Sequence, residues 1–337
     1  MSTASATPTR APARRLIAVI VLVPALAALA LWAFAWPAAR TAPRDLPLGV
    51  AGPAAATVPV EQQLAAHEGA FEVHRYADEA AARDAIEDRT VYGAVVVTDR
   101  GPELLTASAA SPVVAQFLQQ AVAGQASAIG TPMKTVDVVA ASPKDPRGAA
   151  LTASVLPLAL AGIAAGAVVT LLGLRGVRAV TALVGAAALV GVAAAGIADS
   201  WLGVITGDWW AEAATFGLST LAVSAAVAGL AALVGTAGTG IAAGVVMLFG
   251  NPFSGASSAP QMLPEPVGTI GQWLPPGAGT TLLRSVSYFD GAAATVPALT
   301  LGWWAALGLG AVLLGSALKS RARSGEPVPK RELAPVG

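Results

Sequence analysis

Arg284 is the sole basic residue of a Pro- and Gly-rich segment, 251–295, that also carries Asp290 six positions further on. A lone guanidinium in such surroundings has two chemical uses. It can pair with Asp290 or donate to carbonyls of its own segment, or it can meet an anionic lipid or substrate headgroup through the charge-assisted contacts that Arg makes with phosphate. Arg175 and Arg178 form a second basic pair within the tight link Arg175-Gly176-Val177-Arg178. These two read either as a contact for a cytoplasmic partner or as topology determinants anchored on lipid phosphate.

Residues able to do covalent or acid–base chemistry are poorly placed for it. The stretch 78–88 carries Asp78, Glu79, Asp84, Glu87 and Asp88, but a catalytic pair needs one desolvated carboxyl and this stripe reads as a solvated helix face. Ser254, Ser257 and Ser258 cluster without a neighbouring His or Lys base, which leaves hydrolase chemistry unsupported. His67 and His74 stand seven apart, with no cysteine anywhere to complete a zinc-type ligand set. The glycines of 235–240 (GTAGTG) lack the Lys of a phosphate-cradling loop, and no G-x-x-x-x-G-K-[ST] pattern occurs. We therefore expect no catalytic, cofactor-binding or metal-binding residues and do not read the chain as an enzyme.

The elements that position these residues are dominated by apolar runs. Of 337 residues, 55% are hydrophobic and 12% charged, a balance beyond that of soluble domains. Residues 16–36 form an uncharged run long enough, at about 1.5 Å per residue, to span roughly 30 Å of hydrocarbon. The run exceeds a signal-peptide core and reads as a retained signal-anchor, with the small residues around Pro37 leaving cleavage as the alternative. From 37 to 148 the composition becomes that of a soluble domain, with thirteen acidic and nine basic residues. Leu46–Val50, Phe71–Tyr76, Val91–Thr98, Glu103–Ala109 and Thr135–Ala141 read as strands, and Asp78–Asp88 and Pro112–Ala126 as helices. This is a small α/β domain.

Beyond it, 149–318 reads as a five-helix membrane domain. Leu151–Leu174 and Ala179–Ala198 form a helical hairpin, a polar loop covers Asp199–Trp210, and Ala211–Val234 spans again. GTAGTG is expected to break the helical pattern, and the apolar stretch after it, ending near Phe253, is short for a span. Segment 251–295 has the texture of re-entrant or interfacial backbone, and Val296–Leu318 is the last span. Of the eleven Lys and Arg outside the α/β domain, a six-span arrangement puts ten on one side: Arg10, Arg14, Arg15, Arg175, Arg178, Lys319, Arg321, Arg323, Lys330 and Arg331. Arg284 alone falls opposite. By the positive-inside rule the tails 1–15 and 319–337 are cytoplasmic and 37–148 lies outside a cell membrane. The expected fold class is thus an α-helical polytopic membrane protein with six transmembrane helices and a small extracytoplasmic α/β domain between helices 1 and 2.

Three stretches carry a family resemblance: LPLGV (46–50), FEVHRYADEAAARDAIEDRTVYGAVVV (71–97), and NPFSG, MLP, LPPGAG and LLRSVSYFDG within 251–291. In order and texture the chain resembles ABC-2-type transporter permeases, and among them the YhgE/Pip-like (phage-infection-protein-like) branch. The resemblance implies a homodimer or a pair with a related permease, a separate nucleotide-binding ATPase subunit, contact with membrane lipids, and outer re-entrant helices closing the exit of a path. No nucleic-acid partner is implied. Because no spanning segment holds an interior Asp, Glu, Lys or Arg apart from Glu212 at its edge, ion-coupled transport is disfavoured. The resulting expectation is a permease subunit exporting an amphipathic or lipid-like substrate. The alternative is a non-transporting scaffold or receptor whose outer domain binds envelope partners.

Overall fold

The computed structural model describes residues 10–99, 101–129 and 133–324. Residues 1–9 and 325–337 of the terminal tails, including Lys330 and Arg331, lie outside the described residues, as do the side chains of Arg10 and Arg323. Helix α1 (Arg10–Ala39) leads into an α/β domain in the order β1 (Leu46–Ala51), α2 (Ala54–Ala65), β2 (Phe71–Tyr76), α3 (Glu79–Glu87), β3 (Gly93–Thr98), β4 (Gly101–Thr106), α4 (Pro112–Ile129) and β5 (Lys134–Asp137). The strands form one mixed sheet in the order β2-β1-β3-β4-β5. β1 pairs in parallel with β2 and β3, β3 with β4 as an antiparallel hairpin, and β4 in parallel with β5. Each parallel pair needs a crossover, which α2, α3 and α4 provide.

Side-chain alternation divides the sheet residues between two cores. Ala51, Ala94, Val96 and Leu105 face α3, where Ala82, Ala85 and Ile86 are buried. Leu46, Leu48, Val95 and Leu104 face the other way, toward Val60 and Leu64 of α2 and Val114 and Leu118 of α4. α3 starts where the Asp78 carboxylate accepts from Ala81 N at 2.9 Å, and its outer face carries the Arg83–Glu79 pair one turn apart. Asp84, Glu87 and Asp88 are exposed, as expected of a solvated face. Helix α2 has no counterpart in the sequence reading.

The remaining chain is helical: α5 (Ala149–Leu171), α6 (Gly176–Ala195), α7 (Trp209–Val234), α8 (Thr236–Val245), α9 (Val267–Trp273), α10 (Pro275–Tyr288) and α11 (Thr295–Ser324). A π-helical turn carries α6 on through Gly196–Trp201, so the polar loop expected over 199–210 contracts to 202–208. The GTAGTG expectation also needs correction. Only Gly235 leaves helical geometry, with φ 78°, and Thr236–Gly240 already belongs to α8, which ends in a π-helical turn at Val246–Gly250. Glycine admits that positive φ without a Cβ clash, so the chain reverses there in one residue. Within the expected re-entrant segment, 251–295, lie a short 3-10 turn (Pro260–Met262), α9 and α10.

Five helices are long and apolar enough to cross a bilayer: Arg14–Ala39, Ala149–Leu171, Gly176–Trp201, Trp209–Val234 and Thr295–Arg321. This is a multi-pass helical membrane protein with a small mixed α/β sheet. α7 is the axle of the helical block and packs against α5, α6, α8, α10 and α11. Small residues let the backbones approach: a Cβ added at Gly191 would lie 2.3 Å from Ala213 O, and one at Gly308 would lie 2.3 Å from the Ala225 carbonyl carbon. α8 folds back along α7, bringing Gly238 against Leu230 and joining Ala242 and Val246 to Val223 and Val227 in one cluster.

The block has two distinct ends. At one lie the α/β domain, loop 202–208 and segment 251–294, tied by Ser142 Oγ donating to Gly203 O at 2.8 Å and Tyr288 Oη donating to Val204 O at 2.6 Å. The α5–α6 link and the last turns of α11 meet at the other, where Gly176 N donates to Ser316 Oγ at 2.8 Å.

The packing at Gly308 has a measurable consequence. Gly308→Ala should lower the thermal midpoint of the detergent-solubilised protein, by an amount corresponding to about 1–3 kcal/mol of overpacking. Gly310→Ala, two residues along the same helix with open space where its Cβ would go, should leave the midpoint unchanged or raise it. Equal effects from both would refute the close α7–α11 contact.

Candidate functional site

The junction between the α/β domain and segment 251–295 gathers the chemically distinctive side chains. Backbone pairing begins it: Ala42 N donates to Met262 O at 3.0 Å and Arg44 N to Gln261 O at 2.9 Å, immediately after α1 ends. Tyr92 Oη, from the residue before β3, donates to Gln261 Oε1 at 2.9 Å. Arg89 follows α3 in a left-handed conformation, φ 59°. That turn throws its side chain toward α10, where Nη1 donates to Thr281 O at 2.9 Å and to Ser285 Oγ, and the guanidinium sits over the Phe289 ring at 5.1 Å.

Arg284, on the same helix, is only 5% exposed. Its Nη2 donates to Ala256 O at 2.7 Å. Of the two structural readings, the carbonyl contact is therefore present and the pairing with Asp290 is not. Asp290 lies beyond the end of α10 in a left-handed turn, φ 49°, with its side chain exposed, while Arg284 points inward from the last turns of the helix. The ion pairs among the described residues are His74–Glu72, Arg75–Glu61, Arg83–Glu79 and Lys134–Glu103, all within the α/β domain. Neither Arg89 nor Arg284 belongs to one.

Both guanidiniums line a single cavity of about 290 Å3, together with Tyr92, Gln261, Gln272 and Thr281, and no carboxylate lines it. Burial pulls the Arg89 guanidinium below its usual range and pushes the Tyr92 phenol up, the latter opposed by Arg89 and then Arg284. Arg284, outside the spanning helices, is drawn down to about 10 by burial, with Arg89's charge also lowering it against the opposing pull of Tyr92; it stays protonated at neutral pH. Around the cavity Thr281 Oγ1 donates to Gln272 Oε1 at 2.6 Å and Gln272 Nε2 donates to Ser254 O at 3.0 Å. These bonds fix the amide so that the wall is polar but uncharged apart from the two arginines.

A second feature is a side groove of about 650 Å3 between the end of α1, the start of α5 and residues 251–263. Its wall is mixed: Phe34, Leu156 and Leu263 on one hand, Thr152, Asn251 and Ser257 on the other. Ser254 and Ser258 also reach it but remain buried, Ser254 donating to Asn251 O at 2.7 Å. α1 touches the block near its C-terminal end, where Ala33 and Pro37 are buried and Trp36 packs with Phe249, Phe253, Leu263 and Val267, while most of its remaining apolar side chains point outward. A third cavity, about 500 Å3, lies inside the α/β domain against Leu48, Phe71, Leu104 and Phe117 and includes His67 at its edge. His67 and His74 do not converge, and among the described residues no cluster of three His, Cys, Asp or Glu could hold a metal. Arg175 and Arg178 are both exposed at the end of the block away from the α/β domain, and Arg175 lines a small cavity with Lys319.

Sequence reasoning found Arg284 and missed Arg89, Tyr92 and Gln261. The only local signal for Arg89 was a basic residue closing an acidic helix. Glu212, noted as the sole charge at a span edge, is fully buried in the first turn of α7. Its Oε1 accepts from Gly207 N at 3.0 Å, whereas Oε2 lies beside the buried Ser287 hydroxyl, and neither has a hydrogen bond of good geometry among the described residues. Glu212→Gln keeps the Gly207 contact and offers Ser287 a donor, so its thermal midpoint should equal or exceed that of the natural protein. Glu212→Ala strands Gly207 N and should lower the midpoint by an amount corresponding to about 1–3 kcal/mol. The reverse order would show that the carboxylate itself is required.

No family model, no curated protein and no solved structure matches the chain.

Proposed function

We propose that the chain is the membrane subunit of an ABC-2-type exporter, moving an amphipathic or lipid-like molecule with energy from a separate ATPase chain. The observation that carries this reading is the mixed side groove: it opens beside a loosely held α1, so a molecule with an apolar tail and a polar head finds matching wall on both counts without leaving the bilayer. Apolar spans without interior charges fit cargo of that kind better than an ion-coupled cycle.

The accompanying topology has six crossings, both termini cytoplasmic and 37–148 outside. The Thr236–Gly250 helix is short, but it runs from the Gly235 reversal, at the level of Leu230, back to Phe249 and Phe253 beside Trp36. Arg175, Arg178, Lys319 and Arg321 then share the cytoplasmic side, where an ATPase would dock. The α5–α6 link is only residues 172–175, so the docking surface would also draw on the α7–α8 turn and the end of α11. Outward-facing apolar side chains on α1 suit lipid or a second subunit, in keeping with a homodimer or a related pair.

The natural chain has no cysteine, which makes the topology directly measurable. A membrane-impermeant maleimide should label Glu87→Cys and Asp290→Cys in intact cells and Val177→Cys only after permeabilisation. Labelling of Val177→Cys from outside would overturn the arrangement. For the activity, proteoliposomes holding the protein and an ATPase encoded beside it should move a fluorescent phospholipid in an ATP-dependent manner. Ala153→Trp, which fills the groove, should slow that movement about tenfold or more, one tenfold step corresponding to roughly 1.4 kcal/mol. Absence of ATP-dependent movement with every such ATPase would sink the exporter reading.

A further inference from the structure

We propose that Arg89 and Arg284 form a binding site for a phosphate-type oxyanion, held across the junction between the α/β domain and α10. The two side chains come from parts of the chain almost 200 residues apart, Arg89 reaching Ser285 across 196 positions of sequence, and both line the one cavity. The charge count in that cavity is two positive and none negative. Arg284 is 5% exposed and makes one hydrogen bond, to a neutral carbonyl, although a guanidinium carries five N–H groups. Arg89 is half-buried and meets a carbonyl, a hydroxyl and an aromatic face, none of which carries a full negative charge.

Buried charges in proteins are paired or neutralised, because removing an ion from water is costly unless a counter-charge replaces the lost hydration. Two like charges sharing a low-dielectric pocket worsen that cost. An oxyanion removes both difficulties at once. A phosphate group suits the lining in particular: it accepts from two planar forks at the same time, and the Gln261 amide, whose oxygen already accepts from Tyr92, keeps its N–H donors for a further oxygen. At about 290 Å3 the cavity is roughly twentyfold larger than the ~10–15 Å3 that one water requires by the same measure, leaving space for a phosphodiester headgroup or a free phosphate. The anion serves as the missing counter-charge that locks the α/β domain to α10. The site does not depend on the exporter reading, since it follows from buried charge whether or not the chain transports.

The test uses the full chain, stripped of lipid, in dodecyl maltoside micelles, whose headgroup carries no phosphate, followed by its tryptophan fluorescence on heating. Added inorganic phosphate should raise the unfolding midpoint along a saturating curve that sodium chloride of equal ionic strength does not reproduce. Mixed micelles containing phosphatidylglycerol report on the headgroup source. A rise with phosphatidylglycerol alone assigns the site to a lipid headgroup, and a rise with phosphate in the lipid-free micelles assigns it to a soluble oxyanion. Arg89→Gln and Arg284→Gln should each weaken the half-saturating response about tenfold or more. Arg89→Lys and Arg284→Lys, which keep the charge but lose the fork, should weaken it less. If a Gln variant does not fold, the saturation curve of the natural protein and the Lys variants decide. No midpoint rise with either probe, a non-saturating rise matched by chloride, or equal responses from the natural and substituted proteins would overturn the proposal.

Discussion

Both faces of the five-stranded sheet are finished by residues from the far end of the chain. On the α3 side Phe289 joins Ile86, Ala94 and Leu105, and on the α2 and α4 side Ala259 and Met262 join Leu46, Leu104 and Leu118. A domain of roughly 110 residues is of ordinary size and buries about two-thirds of its unfolded surface alone, so these apolar contributions add to a core of its own and tie it to the helical block. The Pro- and Gly-rich segment is thus a structural wedge: it belongs to the helical block by connection and to the α/β domain by packing. Its buried backbone is answered in turn, with Ala256 O accepting from both Thr152 Oγ1 and Arg284 Nη2, and Ser254 O from Gln272.

The wedge is placed in turn by a block built around α7. In lipid the hydrophobic effect does not drive one apolar helix against another, and close packing has to do so. Glycines and alanines on α5, α6 and α11 bring their backbones onto α7, and α10 then rests on α7 and α11 through Ala222, Ala278, Leu282 and Leu301. With α10 fixed, Arg89 has a defined surface to reach. The chain of dependence runs from small-residue contacts to the placement of α10, and from there to the orientation of the α/β domain.

Charge is sparse in this molecule and its distribution is correspondingly informative. Exposed pairs within the α/β domain, such as Lys134–Glu103 at 2.9 Å, contribute about 0.2–1 kcal/mol each and set nothing at the junction. Arg284 is different in kind: it is 5% exposed and pairs with no carboxylate among the described residues, and an uncompensated buried charge costs roughly 3–5 kcal/mol. Glu212 shows the same economy on a smaller scale, a carboxylate half satisfied by the backbone of the loop it faces.

Local pattern was enough to read much of this architecture. The run of apolar residues specified the long helices, the Phe71–Tyr76 strand was legible to the residue, and a short link, expected at Arg175–Arg178 and found at 172–175, dictated a hairpin, because each of these follows from spacing within a few turns. Helix α2 escaped because Pro59 and its mixed face blur the period, and the start of α8 falls several residues late by sequence because the glycines of 235–240 read as a break when a single residue, Gly235, makes it. Arg284 stood out by sequence as an isolated charge, yet its partner could not be found there. Whether it meets Asp290, six residues away, or shares a cavity with Arg89, far removed in sequence, is a question of which side of α10 faces the α/β domain. Only tertiary packing decides that, because the contacts that orient α10 are made with α11, which follows it, and with α7 and the sheet, which lie far from it in sequence.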